Sequence, residues 1–202
     1  MHTTTLFQGF FVGAGLIMAI GAQNAFVLKQ GLKGNHLLLT AITCCICDGV
    51  LIALGVLGIG LMVQDHANWL TGMRWLGAIF LTVYSILSFI KVFKPEALAT
   101  QQSEKQNNSK IATLLALLGF TLLNPHTYID TFVLLGGIGA QHCGLDKYLF
   151  IAGTLSASIM WFFGLTYGAA RLTPLFQNPK AWQVLNAGIG FMMLFIAFKL
   201  IF

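Results

Sequence analysis

Six stretches of this chain, residues 6–28, 37–63, 69–93, 111–140, 148–170 and 182–202, are each apolar over about twenty residues or more, the length an α-helix needs to cross a hydrocarbon layer of ~30 Å. A helix satisfies its backbone hydrogen bonds internally, as a segment inside lipid must. The predicted fold is therefore all-α, with six transmembrane helices. With 57% hydrophobic and 8% charged residues, little chain is left over for a separate soluble domain. The expected organisation is a single membrane domain over residues 1–202. The second and fourth stretches are long enough to tilt, bend or extend beyond the bilayer.

A net charge of +5 could point to nucleic acid, but the positive residues are scattered over short loops and form no face, so no nucleic-acid partner is expected. Their placement reads instead as topology. Lys29 and Lys33 lie between the first two stretches, Lys91, Lys94, Lys105 and Lys110 between the third and fourth, and Arg171 and Lys180 between the last two. The opposite side holds Arg74, Lys147 and Lys199, so eight positive charges face three. Positive charge collects on the cytoplasmic side, which predicts both termini on the opposite side of the membrane. The opening MHTTT carries no positive charge ahead of its apolar run, as expected of a retained first helix and not a cleaved signal peptide.

Residues 94–110 are rich in Gln, Asn, Ser and Lys and read as a flexible cytoplasmic linker between two three-helix repeats, 1–93 and 111–202. Asn24-Ala25-Phe26-Val27-Leu28 resembles Asp130-Thr131-Phe132-Val133-Leu134. Three spans separate the two segments, so they enter the membrane from opposite sides, the inverted-repeat plan of many secondary transporters. Each segment also carries a break in helix grammar. Asn124-Pro125 pairs a preferred N-cap with the residue best tolerated at the first helical position, so a half-helix is expected to start near Pro125. In the first span Gln23-Asn24 follows Gly21, and side-chain amides there can satisfy backbone groups freed by a break. A simple proline kink is the alternative.

The polar residues beside these breaks form a face. His126 and Asp130 are four residues apart, as are Thr127 and Thr131, so each pair shares one side of a helix. Asp48 lies about a dozen residues into the second span, roughly 17 Å deep at 1.5 Å per residue. A carboxylate at mid-membrane costs roughly 2.5–3.5 kcal/mol on insertion scales and usually binds a substrate, lines a pathway or pairs with a partner. A buried ion pair of an aspartate with Arg74 or Lys91 is the structural alternative, although both cations lie near span ends, where they can snorkel to water.

The segments Gly21-Ala22-Gln23-Asn24-Ala25-Phe26-Val27-Leu28 and Leu123-Asn124-Pro125-His126-Thr127-Tyr128-Ile129-Asp130-Thr131-Phe132, together with Asp48, Ser156-Ala157-Ser158 and Trp161-Phe162-Phe163-Gly164, resemble the LysE/ArgO family of basic amino acid exporters over nearly the whole chain. The chain departs from the family in having Ala22 where a proline is frequent. The resemblance implies a bacterial inner membrane, with the termini periplasmic, and export of L-arginine or L-lysine, driven by membrane potential or proton exchange, with no enzymatic activity and no cofactor. Asp48 and Asp130 would meet the substrate's cationic groups. The helix start at Pro125 would meet its carboxylate, and Gln23, Asn24 and Asn124 would orient it by hydrogen bonds. One aspartate is expected to pair with the substrate, while the other, or the same one in the empty carrier, is expected to take up a proton on return. His126 is a candidate proton relay, and Tyr128 and Trp161 are candidate stacking partners for a guanidinium. Monomer and homodimer both remain open.

Two rivals come from other classes. Cys44 and Cys47 have redox-motif spacing, which suggests a membrane thiol-disulfide oxidoreductase, but they lie about two turns into a span and not at an accessible helix start. Asp, His and Asn side chains can also bind divalent ions, which suggests a metal-ion carrier. The glycine clusters at Gly55, Gly58 and Gly60 and at Gly136, Gly137 and Gly139 read as close helix contacts and not as a nucleotide loop.

Overall fold

The structure, a computed structural model, describes residues 2–19, 21–58, 67–93, 109–174 and 178–201. Most of the expected linker and Gly60 fall outside them. The described residues form α1 (His2–Ile17), α2 (Ala22–Lys33), α3 (Leu37–Val56), α4 (Ala67–Phe93), α5 (Lys110–Leu122), α6 (Pro125–Gly139), α7 (Leu145–Arg171) and α8 (Pro179–Ile201), and no strand occurs among them.

Helices α3, α4, α7 and α8 are long and apolar enough to cross a membrane, and six spans result when each bent pair, α1 with α2 and α5 with α6, counts as one. Both predicted breaks are present. The chain turns by 83° between α1 and α2 and by 58° between α5 and α6. The first break stands at Gly21, the N-cap of α2, so it does not need the proline that Ala22 replaces.

Side-chain contacts fix the directions of packing. His2 meets Asp146, Thr154 donates to the Gly9 carbonyl, Trp161 donates to Asn24, and Thr173 donates to the Leu32 carbonyl. These pairs ascend together, so the first span runs parallel to α7. Ser158 meets Asp48, and Leu155 lies against Gly49, so α3 is antiparallel to α7. Ser85 with Gly190 and Val92 with Gln183 set α4 antiparallel to α8. Several packings between the two halves of the chain have an exchange counterpart: α1 on α7 and α5 on α3, α2 on α7 and α6 on α3, α2 on α8 and α6 on α4.

Close approach at two of these contacts requires glycine. A Cβ on Gly9 would strike the Phe150 backbone, and one on Gly55 would strike the Thr131 backbone. Small residues allow such proximity between helices in lipid, where packing and not water exclusion drives association. Gly55, Gly136 and Gly139 therefore serve the contact of α3 with α6, as expected of that cluster. Gly58 takes a positive φ of 93° just beyond α3 and Gly137 has open space, so neither is a contact glycine.

The largest core group joins α2, α4 and α5 through aromatic rings. Phe120 stands 4.9 Å from Phe26, 4.8 Å from Tyr84 and 4.8 Å from Phe80, ring centre to ring centre, within the range of favourable edge and offset contacts. This layer lies beside the two breaks and toward the end of the bundle that carries Lys33 and Arg171.

Candidate functional site

A pocket of about 280 Å³ lies where the two breaks meet, close to the lower end of ligand sites, ~300–1,000 Å³. Gln23 and Asn24 from α2, Asp48 from α3, Asn124 from the second break, and His126 and Asp130 from α6 all line it. A straight-helix count places Asn24 and Asp130 at different depths. The breaks bring them level, because each span ends one half-helix and starts another at the pocket.

Asp48 is buried and accepts a hydrogen bond of 2.9 Å from the Ser158 hydroxyl, itself fully buried on α7. Among the described residues, no Lys or Arg lies in ion-pair contact with either aspartate, and Arg74 and Lys91 are both exposed. The ion-pair alternative is therefore unsupported there. Asp130 instead meets His126 Nδ1 at 2.9 Å, one helical turn away, as their spacing predicts. Residues 129–135, Asp130 included, adopt a π-helix, a rare widened turn that is frequent at functional sites. Nothing in the amino-acid pattern announced it.

Each break is closed by a side chain reaching back across it. The Asn24 amide donates to the Ile17 carbonyl at 2.9 Å and to the Ala19 carbonyl at 2.8 Å, while its oxygen accepts from the Trp161 indole N–H at 3.2 Å. The Tyr128 hydroxyl donates to the Leu122 carbonyl at 2.7 Å. Carbonyls at helix ends lack intrahelical partners, and inside a membrane something in the protein must satisfy them. Asn24, Trp161 and Tyr128 thus hold the frame of the site. Neither Tyr128 nor Trp161 lines the pocket, and neither does the buried Pro125. The polar ends of the two aromatics are committed to the breaks.

The two helix starts differ. At α6 the Asn124 side chain accepts from the His126 N–H at 3.1 Å, and the Asn124 carbonyl accepts from the Thr127 N–H at 3.1 Å, while Pro125 has no N–H to offer. At α2 the N-cap is Gly21 and no side chain caps the first turn. Gly21, Ala22, Gln23 and Asn24 all line the pocket. The α2 start therefore offers more uncapped backbone N–H groups to the pocket than the α6 start, where the sequence reading looked for them.

The pocket is lined by two acidic side chains, Asp48 and Asp130, with His126 beside them. Among the described residues, no three His, Cys, Asp or Glu side chains come together as a metal set. Cys44 is buried, Cys45 and Cys47 are half-buried, Cys143 is exposed, and all four are free thiols. The Cys45 thiol points to the Ser158 carbonyl at 3.9 Å.

The model of the LysE type translocator family matches residues 14–202. The chain belongs to this family. As a LysE type translocator it is a transporter and not an enzyme. The arginine exporter protein ArgO of Klebsiella pneumoniae is 37% identical over 198 residues, covering 98% of this chain and 93% of the relative. The protein of the same name from Salmonella typhimurium is 41% identical over 197 residues, covering 96% and 92%. No solved structure matches the chain.

Proposed function

We propose that this translocator exports basic L-amino acids, L-arginine and L-lysine, from the bacterial cytoplasm across the inner membrane by alternating access coupled to the proton-motive force. The observation that carries the reading is the meeting of Asp48 and Asp130 with the uncapped start of α2 around one pocket. A basic amino acid brings two cationic groups and one carboxylate. Two aspartates match the cations by charge, and the α2 N-terminus matches the carboxylate. Relatives named as arginine exporters add weight from an independent direction.

Return of the empty carrier needs compensation for two carboxylates left without their cations. A proton taken up by one of them supplies it and couples the cycle to the proton gradient. The packings that recur on exchange, α1 on α7 with α5 on α3 and α2 on α8 with α6 on α4, support two inverted repeats, with α1–α4 answering α5–α8. The loop charges favour periplasmic termini, and a reporter fused after Phe202 that was active only in the cytoplasm would reverse that orientation.

Counterflow in proteoliposomes tests the substrate class. Vesicles loaded with unlabelled arginine should accumulate labelled arginine and lysine, and an imposed proton gradient should speed the exchange. Uptake confined to neutral amino acids, or to divalent metal, would refute the proposal.

A further inference from the structure

Lys29, placed by its position near the end of the first apolar stretch in a loop, is in fact one of the buried residues of α2, 6% exposed. The 83° turn into α2 wraps that helix in protein. The Lys29 ammonium nitrogen sits 5.5 Å from the centre of the Tyr84 ring, and no carboxylate pairs with it among the described residues. A buried cation without an anion is costly, and a charged group inside a membrane bundle usually serves a pathway.

Lys29 has polar company. Gln30 Oε1, Thr40 Oγ1, Ser88 Oγ, Thr166 Oγ1 and Asn186 Oδ1 are buried without a hydrogen-bond partner among the described residues. They come from α2, α3, α4, α7 and α8, and each lies within about two turns of the helix end at the basic side of the bundle, marked by Lys33, Leu37, Phe93, Arg171 or Pro179. Buried polar atoms are nearly always paired. Gln23 and His142 carry orphaned atoms elsewhere, but five on five helices toward one end of the bundle fit a polar route closed in this conformation.

We propose that Lys29 binds the α-carboxylate of the incoming amino acid at a first subsite, on the basic side of the Phe26, Tyr84 and Phe120 layer, before the substrate reaches the pocket. The subsite rests on the exporter reading above. From Lys29 to Asn24 is five residues of α2, roughly 8 Å, so the carboxylate passes along one helix from Lys29 to the open N-terminus. A cationic amino acid is thereby distinguished from a bare cation before the aspartates are reached.

The test is arginine against agmatine, which keeps the guanidinium and lacks the carboxylate, in proteoliposomes carrying wild type, Lys29→Met or Lys29→Arg. Lys29→Met should raise the arginine KM at least about tenfold, the size of one lost charge-assisted hydrogen bond, and leave agmatine kinetics unchanged. Lys29→Arg should restore arginine. Lys29→Gln, which keeps a polar end, replaces the methionine variant if that one fails to accumulate. An unchanged arginine KM, or equal losses for arginine and agmatine, would overturn the subsite alone, whereas wild type inert to arginine and lysine would overturn the exporter reading beneath it.

Discussion

Ser158 on α7 gives its hydroxyl to Asp48 on α3 at 2.9 Å, joining the two central helices at the floor of the pocket. The bond holds one carboxylate oxygen and leaves the Asp48 side chain turned to the cavity it lines. Ser158→Ala should therefore weaken substrate binding, raising KM by about tenfold, as for other hydrogen bonds to charged groups, with normal amounts of protein in the membrane. Ser158→Thr should keep most of the function. Concentration-dependent efflux separates this KM effect from loss of folded protein.

Asn24 satisfies two carbonyls at the end of α1, and an aspartate cannot donate either bond. Asn24→Asp and Asn24→Ala should both destabilise the protein by about 1 kcal/mol for each bond lost, read as an earlier melting transition in detergent. Tyr128→Phe removes one such bond and should lower the melting transition by a smaller step while retaining substantial export. A complete loss of export in Tyr128→Phe with unchanged melting would mean that the hydroxyl touches substrate.

Gly9 and Gly55 stand at two tight helix contacts, where a Cβ would strike backbone of the facing helix. Gly9→Val and Gly55→Val should force α1 from α7 and α3 from α6, and both should reduce the yield of monodisperse protein in size-exclusion chromatography. Gly15, with open space around it, is the control: Gly15→Ala should be neutral or slightly stabilising, because glycine is a poor helix former.

The four thiols are free, and Cys44 is enclosed by protein. A variant with Cys44, Cys45, Cys47 and Cys143 all replaced by alanine should export arginine near the wild-type rate. Abolished export in a well-inserted quadruple variant would revive the oxidoreductase reading.

Much of this architecture was legible because membrane physics leaves few choices. Twenty apolar residues mean a span, and Asn124-Pro125 spells a helix start whose cap bond is present at 3.1 Å. The convergence of Asp48, Asp130 and Asn24 was only conditionally legible, since it depends on bends that a count along straight helices cannot supply. Ser158 stood among the family-like residues without a role, because the facing of α3 on α7 is not written locally in either helix. Lys29 misled for a physical reason: a lysine near the end of an apolar run looks like a loop residue unless the turn at Gly21 is known. The π-helix around Asp130, which packs closely on α3 where Gly55 faces Thr131, had no signal in the residue pattern.

The most direct test of the central claim is efflux of preloaded radiolabelled arginine and lysine from cells carrying wild type, Asp48→Asn or Asp130→Asn at matched membrane levels. Two aspartates serving one substrate predict rapid efflux of at least one amino acid by wild type, abolished by a protonophore and severely reduced in each variant. Undiminished efflux in both variants would contradict the account.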